Sequence, residues 1–136
     1  MQDMSMASRI QSLANVGPSS DFKIRLLQIS LRLLQQGLLD NQIYLNASVA
    51  DCTTNSGQQV GAYVNGGNPI INLCPVWFNR PDVQSWAIIH EATHVYLGTV
   101  DLSYVWQDSY SELNSFQPFL NADSYSALID CLCPEY

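Results

Sequence analysis

Residues 81–98 read PDVQSWAIIHEATHVYLG, and this stretch decides what the rest of the chain is built around. Pro81 suits the first turn of a helix, where its missing N–H costs nothing, and Asp82 is favourable near the positive helix end. Gly98 is a natural C-terminal stop. The stretch therefore predicts a helix from Pro81 to Leu97. In its middle stands His90-Glu91-Ala92-Thr93-His94. Four residues at about 100° each turn about 400°, so the two imidazoles project from one face, one turn apart. These are the only two histidines in the chain. Both can reach one zinc ion at about 2.0–2.1 Å. Glu91, offset by one residue, is placed beside the metal, where it can take a proton from a water whose pKa the metal has lowered. One isolated histidine is usually a satisfied core residue; a His–Glu–His set on one helix is not explained that way.

A catalytic zinc normally has three protein ligands, so one is still to be found. The helix breaks at Gly98 and Thr99-Val100-Asp101 follow directly, so a tight turn can bring the Asp101 carboxylate back to the helix face. Asp101 is the first candidate. Glu112, 18 positions after His94, is the rival, near the spacing at which a second helix can supply a glutamate. Asp108 and Asp123 are weaker candidates, better suited to the surface or to orienting a histidine.

Outward from this helix the pattern is mixed. Asp21 or Ser20 can cap a helix running to about Gln36, with Gly37 as its stop. Phe22, Leu26, Ile29 and Leu33 make one apolar stripe, widened by Leu27, Leu31 and Leu34, and the broad face predicts a scaffold helix against the core. Residues 43–45, 60–64 and 70–73 read as short strands, with Asn65-Gly66-Gly67-Asn68-Pro69 as a hairpin turn between the last two. Residues 104–116 are partly helical in character, and Asn121 or Asp123 can cap a last helix to about Leu132, before Pro134. The class is α+β: a small twisted antiparallel or mixed sheet packed on the central helix and its flanking helices. Gly17-Pro18-Ser19-Ser20 is linker-like, which divides the chain into a flexible segment, 1–19, and one domain, 20–136.

The stretch HEATHVYLGTVDLSY, His90 to Tyr104, resembles the aspzincin metallopeptidases, the deuterolysin and peptidyl-Lys metalloendopeptidase group. Their signature is H-E-x-x-H followed by G-T-x-D-x-x-Y-G, and Gly98, Thr99, Asp101 and Tyr104 match it in order. Ile71-Asn72-Leu73-Cys74-Pro75 and Asn121-Ala122-Asp123-Ser124-Tyr125 are similar to the family as well, so the likeness covers roughly residues 70 to 126. It implies a zincin-like fold, one zinc ion ligated by His90, His94 and Asp101, Glu91 as base, and Tyr104 as hydrogen-bond donor to the oxyanion. Asp123 is implied to orient a ligand or to shape the pocket for the residue after the cut bond. Val105 replaces the last glycine of the signature, and the segment from His94 to Asp101 is shorter than in other members. Ser126 stands where lysine-specific members carry an acidic residue, so strict lysine specificity is not implied.

Composition limits the partners. With 47% hydrophobic and 12% charged residues in 136, the chain should fold as one core. The formal charge is −7, and from Pro81 onward there are eight acidic residues and no Lys or Arg. Such a region repels nucleic-acid phosphates and favours cations or basic peptide segments. No apolar run approaches the ~20 residues that span a bilayer, and residues 1–20 lack a signal-peptide pattern. Cys131 and Cys133 are too close in sequence to bridge easily, so Cys52 and Cys74 are each expected to reach one of them, as in an oxidising compartment. A four-cysteine zinc site, with no C-x-x-C, and four reduced core cysteines are the alternatives. The expected protein is a zinc endopeptidase acting on protein or peptide in a secreted or periplasmic setting. The alternatives are a zinc amide hydrolase acting on cell-wall peptide, as an effector or toxin domain, and a degenerate domain that binds metal without turnover.

Overall fold

A computed structural model describes residues 20–40, 43–47, 52–53, 56–66 and 68–133. The 1–19 segment and Pro134 lie outside the described residues.

Helix α1, Ser20–Asp40, leads into three short strands: β1 (Tyr44–Asn46), β2 (Ala62–Tyr63) and β3 (Ile70–Leu73). Helix α2 (Pro75–Phe78) and a 3-10 turn, Pro81–Val83, precede α3 (Gln84–Leu97). A second 3-10 turn, Asp108–Glu112, is followed by α4 (Gln117–Leu120) and α5 (Ala122–Leu132). The sheet order is β1-β3-β2. β1 runs parallel to β3, pairing Tyr44 with Ile70, while β2 runs antiparallel to it, pairing Ala62 with Leu73. The expected hairpin is therefore the β2–β3 pair, and the sheet is mixed.

Two apolar clusters hold these layers together. Ala62, Ile71 and Leu73 from the sheet pack with Trp77, Ala87 and Ile88, which seats the first half of α3 on the strands. Leu27 of α1 packs with Phe119, Tyr125 and Leu128, joined by Leu97 at the end of α3. Helix α3 is thus covered on both sides, and burial at about 25 cal/mol per Å2 of apolar surface fixes its position between them.

Three expectations change. Helix α1 continues through Gly37 to Asp40, because Gly37 is a point of close approach: a Cβ there would run into the Tyr96 ring. The buried stripe of α1 is Leu27 and Leu34 with Lys23, whose ammonium lies 5.4 Å from the Phe116 ring centroid. Phe22, Ile29 and Leu33 of the other stripe are about half exposed. The cysteine pairing is also different: Cys52 bonds Cys74, with Cα atoms 5.9 Å apart, and Cys131 and Cys133 form no disulfide. The reason is local. Val60 N–H donates to the Cys52 carbonyl and Cys74 N–H to the Gly61 carbonyl, so the chain doubles back and brings Cys52 beside the end of β3.

Candidate metal centre

Helix α3 ends where the sequence said it would. Gly98 takes φ 65°, the left-handed conformation that favours glycine, and the Thr99 N–H after it donates back to the Thr93 carbonyl at 3.4 Å. The turn sends the chain back along the helix, and Asp101 comes to lie over the two imidazoles. Its Oδ1 is 2.8 Å from His90 Nε2 and 3.2 Å from His94 Nε2. Glu91 is also close, with a carboxylate oxygen 4.0 Å from each Nε2. His90, Glu91 and His94 alone would satisfy a loose metal-cluster geometry, but Asp101 approaches both histidines more closely than Glu91 does. Glu112 lies exposed in the second 3-10 turn and forms no ion pair with them.

The outer nitrogens of the histidines are fixed as well. His90 Nδ1 lies 3.1 Å from Asp123 Oδ1, and His94 Nδ1 lies 2.8 Å from the Thr99 carbonyl. A carboxylate and a carbonyl only accept, so each Nδ1 must carry the proton. Both Nε2 atoms are then the ones that face the Asp101 carboxylate, and once deprotonated their lone pairs are free for a metal ion. Donors bonded at about 2.0–2.1 Å around a tetrahedral ion stand about 3.3 Å apart, close to the separations found. Two neutral imidazoles and one carboxylate, with their second nitrogens held, are the donor set that suits zinc.

Asp123 sits at the back of this arrangement, 1% exposed. Its Oδ1 also accepts from Trp86 Nε1 at 2.7 Å, and its Oδ2 accepts from Val105 N–H at 2.8 Å. Both oxygens are occupied by the protein itself. Thr93, fully buried, donates to the His90 carbonyl at 2.8 Å and bonds Thr99 Oγ1 at 2.8 Å, tying the helix to the turn. Tyr104 is half-buried, its ring stacked on His90 at 5.7 Å and on Trp106 at 4.7 Å between centroids.

Charges follow from this packing. Burial lowers the His90 pKa, but hydrogen bonds to Asp101 and Asp123 outweigh it and lift the value to about 9. Burial is also opposed at His94, where Asp101 and the Thr99 carbonyl raise the pKa. The two imidazoles hold Asp101 well below the usual carboxylate range. Glu91 is pushed up to about 7, chiefly by burial, although both histidines and a backbone hydrogen bond from Val64 work against that. Burial, then the charges of Asp101, Glu91 and Asp123, raise Tyr104 to about 12.

His90, Glu91, His94, Asp101, Tyr104 and Asp123 are thus brought together, while Glu112 and Asp108 stay outside. Sequence reasoning missed Trp86 and gave Asn121 only a capping role, although it lies in the Asn121–Tyr125 piece that had already drawn notice. A cavity of about 320 Å3 opens beside the disulfide, but none of the site residues line it.

Comparisons with known proteins bear on the family and the fold. The sequence model of the aspzincin family, described as lysine-specific metallo-endopeptidase, matches residues 34–128. A solved zinc peptidase from Grifola frondosa is similar in fold, with a TM-score of 0.58 and 19% identity over 90% of this chain and 83% of that one. No curated protein matches the sequence significantly.

Proposed function

The chain belongs to the aspzincin family of zinc metallopeptidases, and from that premise we propose that it is an endopeptidase whose zinc is held by His90, His94 and Asp101. The observation that carries this reading is one Asp101 oxygen within 3.2 Å of both Nε2 atoms, while both Nδ1 atoms are committed to acceptors. Zinc bound there supplies Lewis acidity, polarising the scissile carbonyl and acidifying water. Glu91 takes the proton from the attacking water and passes it to the departing amine. Its pKa near 7 suits a group that must both accept and release a proton around neutrality. Tyr104, raised to about 12, stays protonated and donates to the oxyanion that develops on the carbonyl. Asp123 keeps His90 in the Nδ1–H tautomer, so it orients a ligand instead of lining a pocket.

The substrate is a protein or peptide, with no restriction to lysine. Ser126 is 1% exposed and its hydroxyl donates to the Trp86 carbonyl at 3.0 Å, so it offers no acidic recognition. The Cys52–Cys74 bond supports action in an oxidising compartment, outside the cytosol. No helix among the described residues is long and apolar enough to cross a membrane.

The test joins elemental analysis to proteolysis. The native chain is expected to carry about one zinc and to cleave casein. Glu91→Gln should keep the zinc and lose about 10^2–10^4-fold in rate, the usual contribution of a general base. Full hydrolysis by that variant would falsify the proposed mechanism. Digestion of purified cell wall but not casein would move the assignment to the amide-hydrolase alternative.

A further inference from the structure

Asp101 is the proposed ligand with no helix under it. The histidines ride on α3, whereas Asp101 lies in irregular chain after Gly98, its side chain 46% exposed. The polar contacts of its carboxylate are the imidazoles themselves. Its place therefore depends on how the backbone from Val100 to Val105 is held.

That backbone is held by the start of α5. Val100 N–H donates to the Leu120 carbonyl at 2.8 Å, and Ala122 N–H returns to the Val100 carbonyl at 3.1 Å. At the centre is Asn121, fully buried. Its Oδ1 accepts from the N–H groups of Leu102 and Ser103 at 2.9 and 3.1 Å. Its Nδ2 donates to the Ser103 carbonyl at 2.8 Å and to Ser124 Oγ at 3.1 Å. All four hydrogen-bonding positions of the amide are filled, three of them by residues 102 and 103. Asn121 is also the N-cap residue of α5, and an N-cap side chain ordinarily accepts from its own helix. Here it makes no such bond. A helix left uncapped so that a neighbouring loop can be gripped is a local rule broken at a working site.

We propose that Asn121 is a positioning residue of the metal centre: its amide fixes the backbone at residues 102–103 and so holds the Asp101 carboxylate and the Tyr104 phenol over the His90–His94 face. This rests on the reading of Asp101 as the third ligand. Asn121 touches neither metal nor substrate, and it acts through the loop alone.

The experiment is a double-mutant cycle in zinc affinity, read by competition with a chromogenic chelator on the whole chain, with a thermal melt of each metal-free variant as the measure of folding. Asn121→Ala is expected to weaken zinc by about 10–100-fold, the usual effect of losing a group that supports a ligand. In an Asp101→Ala background the same substitution should weaken it little further, because the group it positions is already gone. Asn121→Asp keeps the oxygen that accepts from Leu102 and Ser103 but loses the donor to the Ser103 carbonyl and Ser124 Oγ and sets a second acceptor against that carbonyl; it should weaken zinc as well, and it is measured too in case the alanine variant folds poorly. Unchanged affinity in a folded Asn121→Ala chain overturns the proposal. So does an equal loss in both backgrounds, which would mean a general effect on the fold. Zinc binding indifferent to Asp101→Ala would overturn the ligand assignment itself, a result the cycle separates from failure of the clamp.

Discussion

Three carboxylates crowd His90: Asp101 at 2.8 Å, Asp123 at 3.1 Å and Glu91 at 4.0 Å. Its pKa rises from the ordinary 6.5 to about 9, so in the metal-free protein it carries a proton at neutrality. The sign of the linkage follows. A folded value above the unfolded one contributes stability that is complete below pH 6.5 and is lost as pH climbs through about 9. Glu91, raised from 4.5 to about 7, acts in the same direction over its own range. Asp101, lowered from 3.8, contributes stability that is present above that pH and lost as pH falls through its folded value. The metal-free chain should therefore melt at progressively lower temperature between pH 7 and 9.5. Zinc must displace the same proton, so its affinity should climb over that interval and level off above about 9. Thermal melts and chelator competition at constant ionic strength report both, and an affinity flat from pH 6.5 to 9 would contradict the charge assigned to His90.

Among the elements, two glycines separate what sequence can and cannot tell. Gly98 ends α3 because φ turns positive there, and the chain leaves the helix through β-branched Thr99 and Val100. Gly37 looks equivalent, yet α1 passes straight through it, since its missing side chain makes room for the Tyr96 ring. Such a demand comes from another helix and leaves no mark in the local pattern. Gly37→Ala gains helix propensity but must push that ring aside, and the expected net effect is a loss of about 1–3 kcal/mol in urea unfolding. Tyr96→Ala in the same chain should recover part of it; a Gly37→Ala protein as stable as the native one would mean that the ring swings away freely. The stripe of α1 shows a similar limit. Phe22-Leu26-Ile29-Leu33 and Leu27-Leu31-Leu34 are equally apolar in sequence, and the choice is made by Phe119, Tyr125 and Leu128, which meet Leu27. The metal helix, its stop and the Asp101–Tyr104 turn were legible because their spacing is chemical and local. Asn121 and Trp86 were not, because their partners lie 18 and 37 residues away.

For the molecule as a whole, the Cys52–Cys74 bond ties the loop before β2 to the end of β3, across a sequence separation of 22. Closing a loop of that length restricts the unfolded chain by about 3 kcal/mol. Reduction should lower the melting midpoint by roughly 10 °C for a domain of this size while leaving zinc affinity unchanged. Thiol titration should find two reactive groups before reduction, Cys131 and Cys133. A midpoint indifferent to reductant would mean that the sheet closes without the bond. The site lies elsewhere, and its construction is lopsided. Trp86, His90, Glu91, Thr93, His94, Thr99, Asp101, Tyr104, Asn121 and Asp123 fall within one run of sequence, and the sheet half meets that run through the Val64 amide on Glu91 and the packing of Ala62, Ile71 and Leu73 on Ala87 and Ile88. Substitutions at the exposed positions of β1, Tyr44–Asn46, therefore have little route to the site. That edge of the sheet can be redesigned at will, while the histidines and their supports stand as one uninterrupted block.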